Sequence, residues 1–260
     1  MAVIHAGQQK GFLLDAIEGR EAKVISVVGG GGKTSTIKRL AGEFNAVHRE
    51  VIVTTTTRLA ASEGLSFAHR LLLRNLPEGE WLEKPGLPNC DLLLLGAEID
   101  AGKLKGVRPQ EIDLVHRRFP HKHVLVEADG SAKKPFKVPA SHEPVVPSST
   151  ELVIVIVGAW AFGLPVLPEY IHRAQLVAEF AGVSLGSPLT AEVAAKALLH
   201  PDSYPKSLPE GAEMVVIING VNGANGENAR RFARQLRARG IKKVLLANVS
   251  QEPPVNEVIV

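Results

Sequence analysis

A glycine-rich segment followed by a lysine and a threonine is the part of this sequence best suited to chemistry. Residues 24–36 read Val-Ile-Ser-Val-Val-Gly-Gly-Gly-Gly-Lys-Thr-Ser-Thr, so an apolar run leads into four consecutive glycines. Glycines let backbone N–H groups point into one concavity, and a following helix adds free N–H donors at its positive end. The order of strand, loop and helix therefore predicts a phosphate-binding loop.

Each residue of this loop has a predicted role in binding ATP or GTP. The predicted nucleotide-binding residues are Gly29, Gly30, Gly31, Gly32, Lys33, Thr34 and Ser35. Lys33 would contact the β- and γ-phosphates, and the Thr34 hydroxyl would bind Mg²⁺. Val27 stands where the usual P-loop has its first glycine, so the spacing resembles the shorter loop of the Mur ligases. The alternative is a glycine-rich turn that precedes a lysine by chance.

Two carboxylates at the end of another hydrophobic run form the predicted metal site. Residues 124–131 read Val-Leu-Val-Glu-Ala-Asp-Gly-Ser, and side chains two apart on a strand point the same way. P-loop enzymes place an acidic residue at such a strand end to hold Mg²⁺. We therefore predict that Glu127 and Asp129 join Thr34 as metal ligands. The alternative is that the two carboxylates cap a turn.

A run of threonines that ends in an arginine follows a third apolar run. Residues 54–58 read Thr-Thr-Thr-Thr-Arg. The hydroxyls are predicted to face the phosphates, Mg²⁺ or an activated water, and Arg58 to neutralise charge on a transferring phosphoryl group. Lys33, Asp129 and Arg58 are thus the predicted catalytic residues. The alternative is a threonine-rich strand that continues into solvent.

An asparagine at a later strand end is the predicted contact to the nucleotide base. Asn219 occupies the place of the asparagine in the Asn-Lys-x-Asp sequence with which GTP-binding proteins recognise guanine. Gly220 and Asn222 stand where that sequence has its lysine and aspartate. Because the guanine N1–H and N2 donors then lose their best acceptor, the choice between ATP and GTP stays open.

A basic loop with several prolines follows the acidic strand end. It contains Lys133, Lys134, Lys137 and His142, which we predict to meet an anionic second substrate or a client protein. The alternative is a solvated loop. His142 could be a base, a metal ligand or a turn residue, and the turn residue ranks highest.

Composition limits the class of protein. The chain has 260 residues, 45% of them hydrophobic, with a net charge of +3 that is too small to indicate nucleic-acid binding. A single cysteine excludes an intramolecular disulfide framework, and no apolar run approaches the length of a membrane span. We expect a cytoplasmic protein that binds neither nucleic acid nor membranes.

Short apolar runs alternate with segments of helical periodicity, which predicts a parallel sheet covered on both faces. Strands are predicted at residues 24–28, 51–54, 91–95, 123–127, 152–157, 214–218 and 243–247, and a hairpin at 96–99 and 103–105. Helices are predicted at residues 11–19, 34–45, 109–117, 169–180, 191–199 and 226–239, and surface loops at 76–89 and 201–211. The predicted fold is a three-layer α/β, P-loop NTPase-like fold with a mostly parallel sheet, forming one domain over residues 1–260.

The glycine loop, the threonine run and above all residues 127–144, Glu-Ala-Asp-Gly-Ser-Ala-Lys-Lys-Pro-Phe-Lys-Val-Pro-Ala-Ser-His-Glu-Pro, resemble the YqeC family. The resemblance spans nearly the whole chain. Members are described as accessory proteins of selenium-dependent molybdenum hydroxylases that act in selenium-cofactor biosynthesis. The resemblance implies a P-loop NTPase-like fold, phosphate binding by residues 29–34, the acidic pair Glu127 and Asp129, and a molybdenum hydroxylase as client.

Three functions fit these observations. The first is a Mg²⁺-dependent hydrolase or phosphotransferase that uses ATP or GTP in cofactor maturation. The second is a chaperone of a client hydroxylase that is gated by nucleotide and has little turnover of its own. The third, an ATP-dependent Mur-like ligase, ranks last, because such ligases generally need further substrate domains.

Overall fold

The alternating apolar and amphipathic segments fold into an α/β structure around a mostly parallel sheet. The structure is a computed structural model that describes residues 3–5, 11–60, 69–72, 90–100 and 103–260. The strands are β1 (Val3–His5), β2 (Val24–Gly29), β3 (Val51–Thr55), β4 (Arg58–Ala60), β5 (His69–Leu72), β6 (Leu92–Gly96), β7 (Glu98–Asp100), β8 (Lys103–Lys105), β9 (His123–Glu127), β10 (Leu152–Gly158), β11 (Glu213–Asn219), β12 (Lys243–Ala247) and β13 (Val255–Ile259).

Ten of these strands form the main sheet, in the order β1-β13-β12-β11-β10-β2-β9-β3-β6-β5. The pairs from β12 across to β5 are all parallel, whereas β13 and β1 are antiparallel additions at one edge. Strands β4, β8 and β7 form a separate three-stranded sheet. The predicted α/β fold with a mostly parallel sheet is thus confirmed.

Helices cover both faces of the sheet. They are α1 (Leu13–Ala16), α2 (Lys33–Ala46), α3 (Pro109–Arg118), α4 (Ala174–Ala181), α5 (Ala191–Leu198) and α6 (Gly226–Ala238), with 3-10 turns at Ala159–Ala161 and Tyr204–Ser207. Helices α1 and α2 share one hydrophobic cluster with Ile25 and Val27 of β2. Helices α3 to α6 pack in the other cluster, with Val24 and Val28. Alternate residues of one strand therefore face two separate aliphatic cores.

Several element bounds differ from those that the sequence predicts. The helix expected over residues 169–180 begins only at Ala174, because Arg173 before it adopts a left-handed conformation with φ of 59°. The helix expected over residues 11–19 has four residues, Leu13–Ala16. Strands β1, β4, β5 and β13 were not predicted, and the loop predicted at residues 201–211 contains a 3-10 turn. The loop predicted at residues 76–89 lies outside the described residues.

The strand order brings the polar strand ends together. Strands β11, β10, β2, β9 and β3 are consecutive neighbours in the sheet and run parallel. Their carboxyl ends therefore meet at one edge, which is where ligands bind in open α/β sheets. Within the residues that the structure describes, no helix is both long enough and apolar enough to cross a membrane.

Candidate phosphate-binding site

The glycine loop is tightly packed, and its geometry requires glycine. It links the end of β2 at Gly29 to the start of α2 at Lys33, with φ of 98° at Gly29, 86° at Gly31 and 130° at Gly32. A Cβ on Gly29 would lie 2.2 Å from the Ile156 carbonyl oxygen. Only glycine accommodates both the positive φ and this close approach of β10.

The loop presents a row of backbone donors that have no acceptor among the residues the structure describes. Gly30 N–H donates to the Ile156 carbonyl, and the first hydrogen bond of α2 runs from Thr36 N–H to the Gly32 carbonyl. Among the described residues, none accepts a hydrogen bond from the N–H groups of residues 31–35. These donors lie at the positive end of a 14-residue helix, so the arrangement suits an oxyanion such as a phosphate.

The Lys33 side chain packs against the glycine loop and does not extend into solvent. Its Nζ donates to the Gly29 carbonyl at 2.9 Å and lies 3.4 Å from Asp129 Oδ1 and 3.8 Å from Glu127 Oε1. The side chain is nearly buried between these groups. A fixed positive charge thus stands beside the free N–H groups, where it would add charge-assisted contacts to a bound phosphate.

Thr34 and Glu127 together provide oxygen atoms suited to Mg²⁺. The Thr34 hydroxyl donates to Glu127 Oε2 at 3.2 Å, and the Glu127 backbone carbonyl accepts from the Thr55 hydroxyl at 2.9 Å. Adjacent ligands of an octahedral Mg²⁺, each about 2.1 Å from the metal, lie about 3 Å apart. The Thr34 hydroxyl oxygen and Glu127 Oε2 therefore fit neighbouring ligand positions. No cluster of three or more candidate metal ligands occurs in the described part of the chain. Mg²⁺ in nucleotide sites is held mainly by phosphates and water, with one or two protein ligands.

Asp129 is completely buried and hydrogen-bonds the first residue of the glycine loop. Its Oδ1 and Oδ2 accept from the Gly29 N–H at 3.1 and 3.0 Å, and Oδ2 lies 3.0 Å from Lys137 Nζ. With Lys33 beside Oδ1, both carboxylate oxygens already face donors. The structure therefore gives Asp129 a positioning role, and its predicted contact with Mg²⁺ stays a prediction.

A buried network of charges continues from Asp129 away from the loop. Lys137 Nζ donates to the Gly130 carbonyl at 2.7 Å and to Glu143 Oε2 at 2.9 Å, and Glu143 Oε1 lies 2.8 Å from Arg173 Nη2. Burial alone would raise the pKa of Glu143, but its bonds and charges with Lys137 and Arg173 outweigh that effect and lower the pKa.

Tyr204 contacts the same network of charged residues through Lys137. Its hydroxyl donates to the Lys137 carbonyl at 3.4 Å, and burial together with the nearby Asp129 and Glu143 charges holds its pKa well above the usual value. Sequence reasoning missed Glu143, Arg173 and Tyr204 as parts of the site. Glu143 lies in the segment that carries the family resemblance, but no local signal pointed to the other two.

The other predicted residues of the basic loop, Lys133, Lys134 and His142, are exposed or half-buried. Lys133 and His142 are exposed, and Lys134 Nζ donates to the Glu169 carbonyl. Lys137 differs from them, since it is buried beneath the loop. The structure thus leaves Lys133, Lys134 and His142 where a second substrate or client can reach them, and it does not bring Lys137 to that surface.

The threonine run mostly bonds within the protein. The Thr56 hydroxyl donates to the Val145 carbonyl at 2.8 Å, and the Thr55 hydroxyl bonds β9 as described above. Arg58 is exposed at the start of β4, where it pairs with Lys105 of β8 in the small sheet. No described contact joins Arg58 to the glycine loop, so its predicted contact with a phosphoryl group stays a prediction.

Asn219 ties the glycine loop to the next strand end. Its Nδ2 donates to the Gly31 carbonyl at 2.9 Å, and its Oδ1 accepts from the Val249 N–H at 3.1 Å. A Cβ on Gly32 would lie 2.2 Å from the same Nδ2. One bond of the amide thus holds the loop and the other holds Val249, and the predicted contact of Asn219 with a base stays a prediction.

The fold and the site define the class as an α/β protein with a candidate phosphate loop at the carboxyl edge of a parallel sheet. The sequence model of the family described as "YqeC protein" matches residues 25–175, which include the loop, the acidic pair and Arg173. The chain therefore belongs to the YqeC family, as its residues indicated. It is similar to "Uncharacterized protein YqeC" of Escherichia coli (strain K12), with 28% identity over 256 residues that cover 94% of each chain.

Proposed function

We propose that this protein binds a nucleoside triphosphate with Mg²⁺ and hydrolyses it or transfers its phosphoryl group. The observation that carries the proposal is the set of N–H groups at residues 31–35 that donate to no acceptor in the described part of the chain, with the Lys33 side chain bonded to Gly29 at the start of the same loop. Helix N-termini with glycine-rich loops are suited to phosphates, because their donors and dipole face the ligand.

The surrounding residues support a role in phosphoryl transfer. Lys33 and the loop amides would hold the β- and γ-phosphates, while Thr34 and Glu127 would hold Mg²⁺, which neutralises phosphate charge when bound. Asp129 fixes the loop through Gly29 and so keeps these donors in place. Such positioning contributes most of the catalysis in phosphoryl transfer, since the protein performs little covalent chemistry.

The biological role we propose is maturation of the cofactor of a selenium-dependent molybdenum hydroxylase. Its support is membership of the YqeC family together with the surface formed by the exposed Lys133 and His142 and the half-buried Lys134, whose backbone adjoins the loop. That surface carries more positive than negative charge, so it suits an anionic second substrate or an acidic patch on a client.

Calorimetry with ATP and GTP in the presence of Mg²⁺ tests the nucleotide site. Lys33→Ala should lose most binding, because charge-assisted contacts to phosphate contribute about 1.5–3 kcal/mol each. Lys38→Ala is the matched control, since Lys38 is an exposed lysine on the same helix and should bind as wild type does. Thermal unfolding of both variants establishes that they are folded. Equal affinity in wild type and Lys33→Ala would refute the proposal.

A nucleotide-gated chaperone is the second candidate function. Its support is the direct packing of the basic loop on the glycine loop: a Cβ on Gly30 would lie 2.5 Å from the Lys134 carbonyl oxygen, and a Cβ on Gly31 would lie 3.0 Å from the Pro135 carbonyl oxygen. A phosphate in the loop would therefore displace or fix the surface that meets the client. Steady-state turnover separates the two functions, because an enzyme needs only its substrates and a chaperone needs its client.

A further inference from the structure

Trp160 is a large aromatic side chain placed at the carboxyl edge of the sheet and only partly covered by protein. It lies in the 3-10 turn Ala159–Ala161, directly after β10, and 48% of its surface is exposed. Several tens of Å² of apolar indole surface thus stay in contact with water, and burying that surface against a ligand would be favourable. A partly exposed tryptophan beside a candidate ligand site is therefore a candidate contact to that ligand.

The indole is held against two glycines. A Cβ on Gly158 would lie 3.0 Å from Cε2 and Cη2 of Trp160, and a Cβ on Gly220 would lie 2.7 Å from its Cζ3. These glycines end β10 and follow β11, which are neighbours in the sheet. The ring is thus supported by backbone at the end of two strands, in a place where a larger residue would push it away.

The same glycines border the phosphate loop. A Cβ on Gly31 would lie 2.5 Å from the Gly158 Cα, so Gly158 directly adjoins the loop. Asn219, the residue before Gly220, donates to the Gly31 carbonyl. Trp160 therefore lies beside the loop on its β10–β11 side, away from the carboxylates Glu127 and Asp129 that end or follow β9.

We propose that Trp160 is the stacking platform for the base of the nucleotide whose phosphates bind residues 31–35. The proposal rests on the proposed nucleotide-binding function and adds the group that receives the base. Every purine base has a π-face, so stacking binds adenine and guanine alike. Because Asn219 already bonds Gly31 and Val249, base binding would rest mainly on stacking, which gives no strong preference between ATP and GTP.

Removal of the indole should weaken nucleotide binding and leave triphosphate binding unchanged. The probes are ATP, GTP and inorganic tripolyphosphate, each with Mg²⁺, measured by calorimetry on the whole chain. Trp160→Ala should lower affinity for ATP and GTP by about ten- to a hundredfold, as expected for one lost base–aromatic stack, and leave affinity for tripolyphosphate within about twofold. Trp160→Phe, which keeps an aromatic face, should recover most of the nucleotide affinity.

Fluorescence provides a second readout. The chain has two tryptophans, so the Trp81→Phe background isolates the emission of Trp160. ATP should quench that emission, whereas tripolyphosphate should not, because only the nucleotide carries a base. Quenching by both ligands, or by neither, would count against stacking.

The outcomes separate this inference from the proposed function. If wild type binds neither ATP nor tripolyphosphate, the nucleotide site is wrong and the stacking role falls with it. If wild type and Trp160→Ala bind ATP equally, the nucleotide site stands and the stacking role is overturned. If Trp160→Ala binds ATP normally but no longer supports the client enzyme, Trp160 is instead a contact to the client.

Discussion

The carboxylate of Asp129 and the backbone N–H of Gly29 are joined by hydrogen bonds of 3.1 and 3.0 Å, although the two residues are 100 positions apart. This contact fixes the point at which β2 turns into the glycine loop. Lys33 and Lys137 lie on either side of the carboxylate, so the negative charge of Asp129 is balanced in the protein interior. The contact between Asp129 and Gly29 therefore predicts how substitutions at Asp129 change the stability of the protein.

Asp129→Asn should destabilise the protein by about 3 kcal/mol, because it removes the acidic partner of a buried cluster that contains two lysines. Chemical denaturation measures this loss. From the sequence alone, replacing a carboxylate at a strand end would be expected to lower the free energy of unfolding by only about 1 kcal/mol. Glu127→Gln is the comparison, since the Glu127 carboxylate is less buried and faces Thr34. It should lower Mg²⁺-dependent turnover with a smaller loss of stability, and equal losses in both variants would contradict this division of roles.

Gly32→Ala should abolish most nucleotide binding. Its Cβ would lie 2.2 Å from Asn219 Nδ2, and alanine is strained at the observed φ of 130°. Asn219→Ala in the same chain should restore part of the binding by removing the overlap, but not the part lost to backbone strain. Gly42→Ala on α2 is the control. Apart from its chain neighbours and its own helix backbone, no atom of the described residues lies within 4 Å of its Cβ position, and the substitution should raise stability by about 0.5–1 kcal/mol. Normal binding by Gly32→Ala would show that the loop does not hold phosphate in this shape.

The stability of the protein should depend on Glu143 most strongly at neutral pH. The folded-state pKa of Glu143 is lowered from its usual 4.5: burial opposes the shift, and the interactions with Lys137 and Arg173 outweigh it. A lowered pKa contributes stability that is fully present above the unfolded value and is lost as the pH falls through the folded value. Glu143→Gln should therefore be less stable than wild type at pH 7, and the difference should shrink as the pH falls below 4.5. Urea denaturation across this range measures it, and a difference that grows on acidification would contradict the assignment.

The surface of the basic loop should be separable from nucleotide binding. Lys133→Ala combined with Lys134→Ala should leave the affinity for ATP and GTP within about twofold and abolish support of the client hydroxylase, because charged surface patches govern association with a partner. Lys137 is left intact, since it is buried against Asp129 and its loss would disturb the loop. Lys38→Ala again serves as the surface control. If the double variant loses nucleotide and still supports the client, the two lysines belong to the phosphate site.

The sequence by itself determined the local parts of this molecule. The apolar run before Gly29, the four glycines and the helix after Lys33 are all recognisable from neighbouring residues, because glycine frequency and side-chain periodicity act over one or two turns. The carboxylates that end or follow β9 were located in the same way. Continuous apolar strands between helices also indicated that the sheet is mostly parallel, since such strands are buried on both faces, whereas the antiparallel β13 and β1 at its edge carried no such signal.

Only the tertiary structure decided what each polar group contacts. The sequence predicted Asp129 as a metal ligand, and only the neighbouring positions of β2 and β9 show that its carboxylate also accepts a hydrogen bond from the Gly29 N–H. Arg173 reaches Glu143 because the chain adopts a left-handed turn before α4, which no local pattern predicted. Trp160 lies beside the glycine loop because β10 is the neighbour of β2. Partners of this kind depend on strand order and register, which are set by the packing of the whole sheet and not by any short segment of the chain.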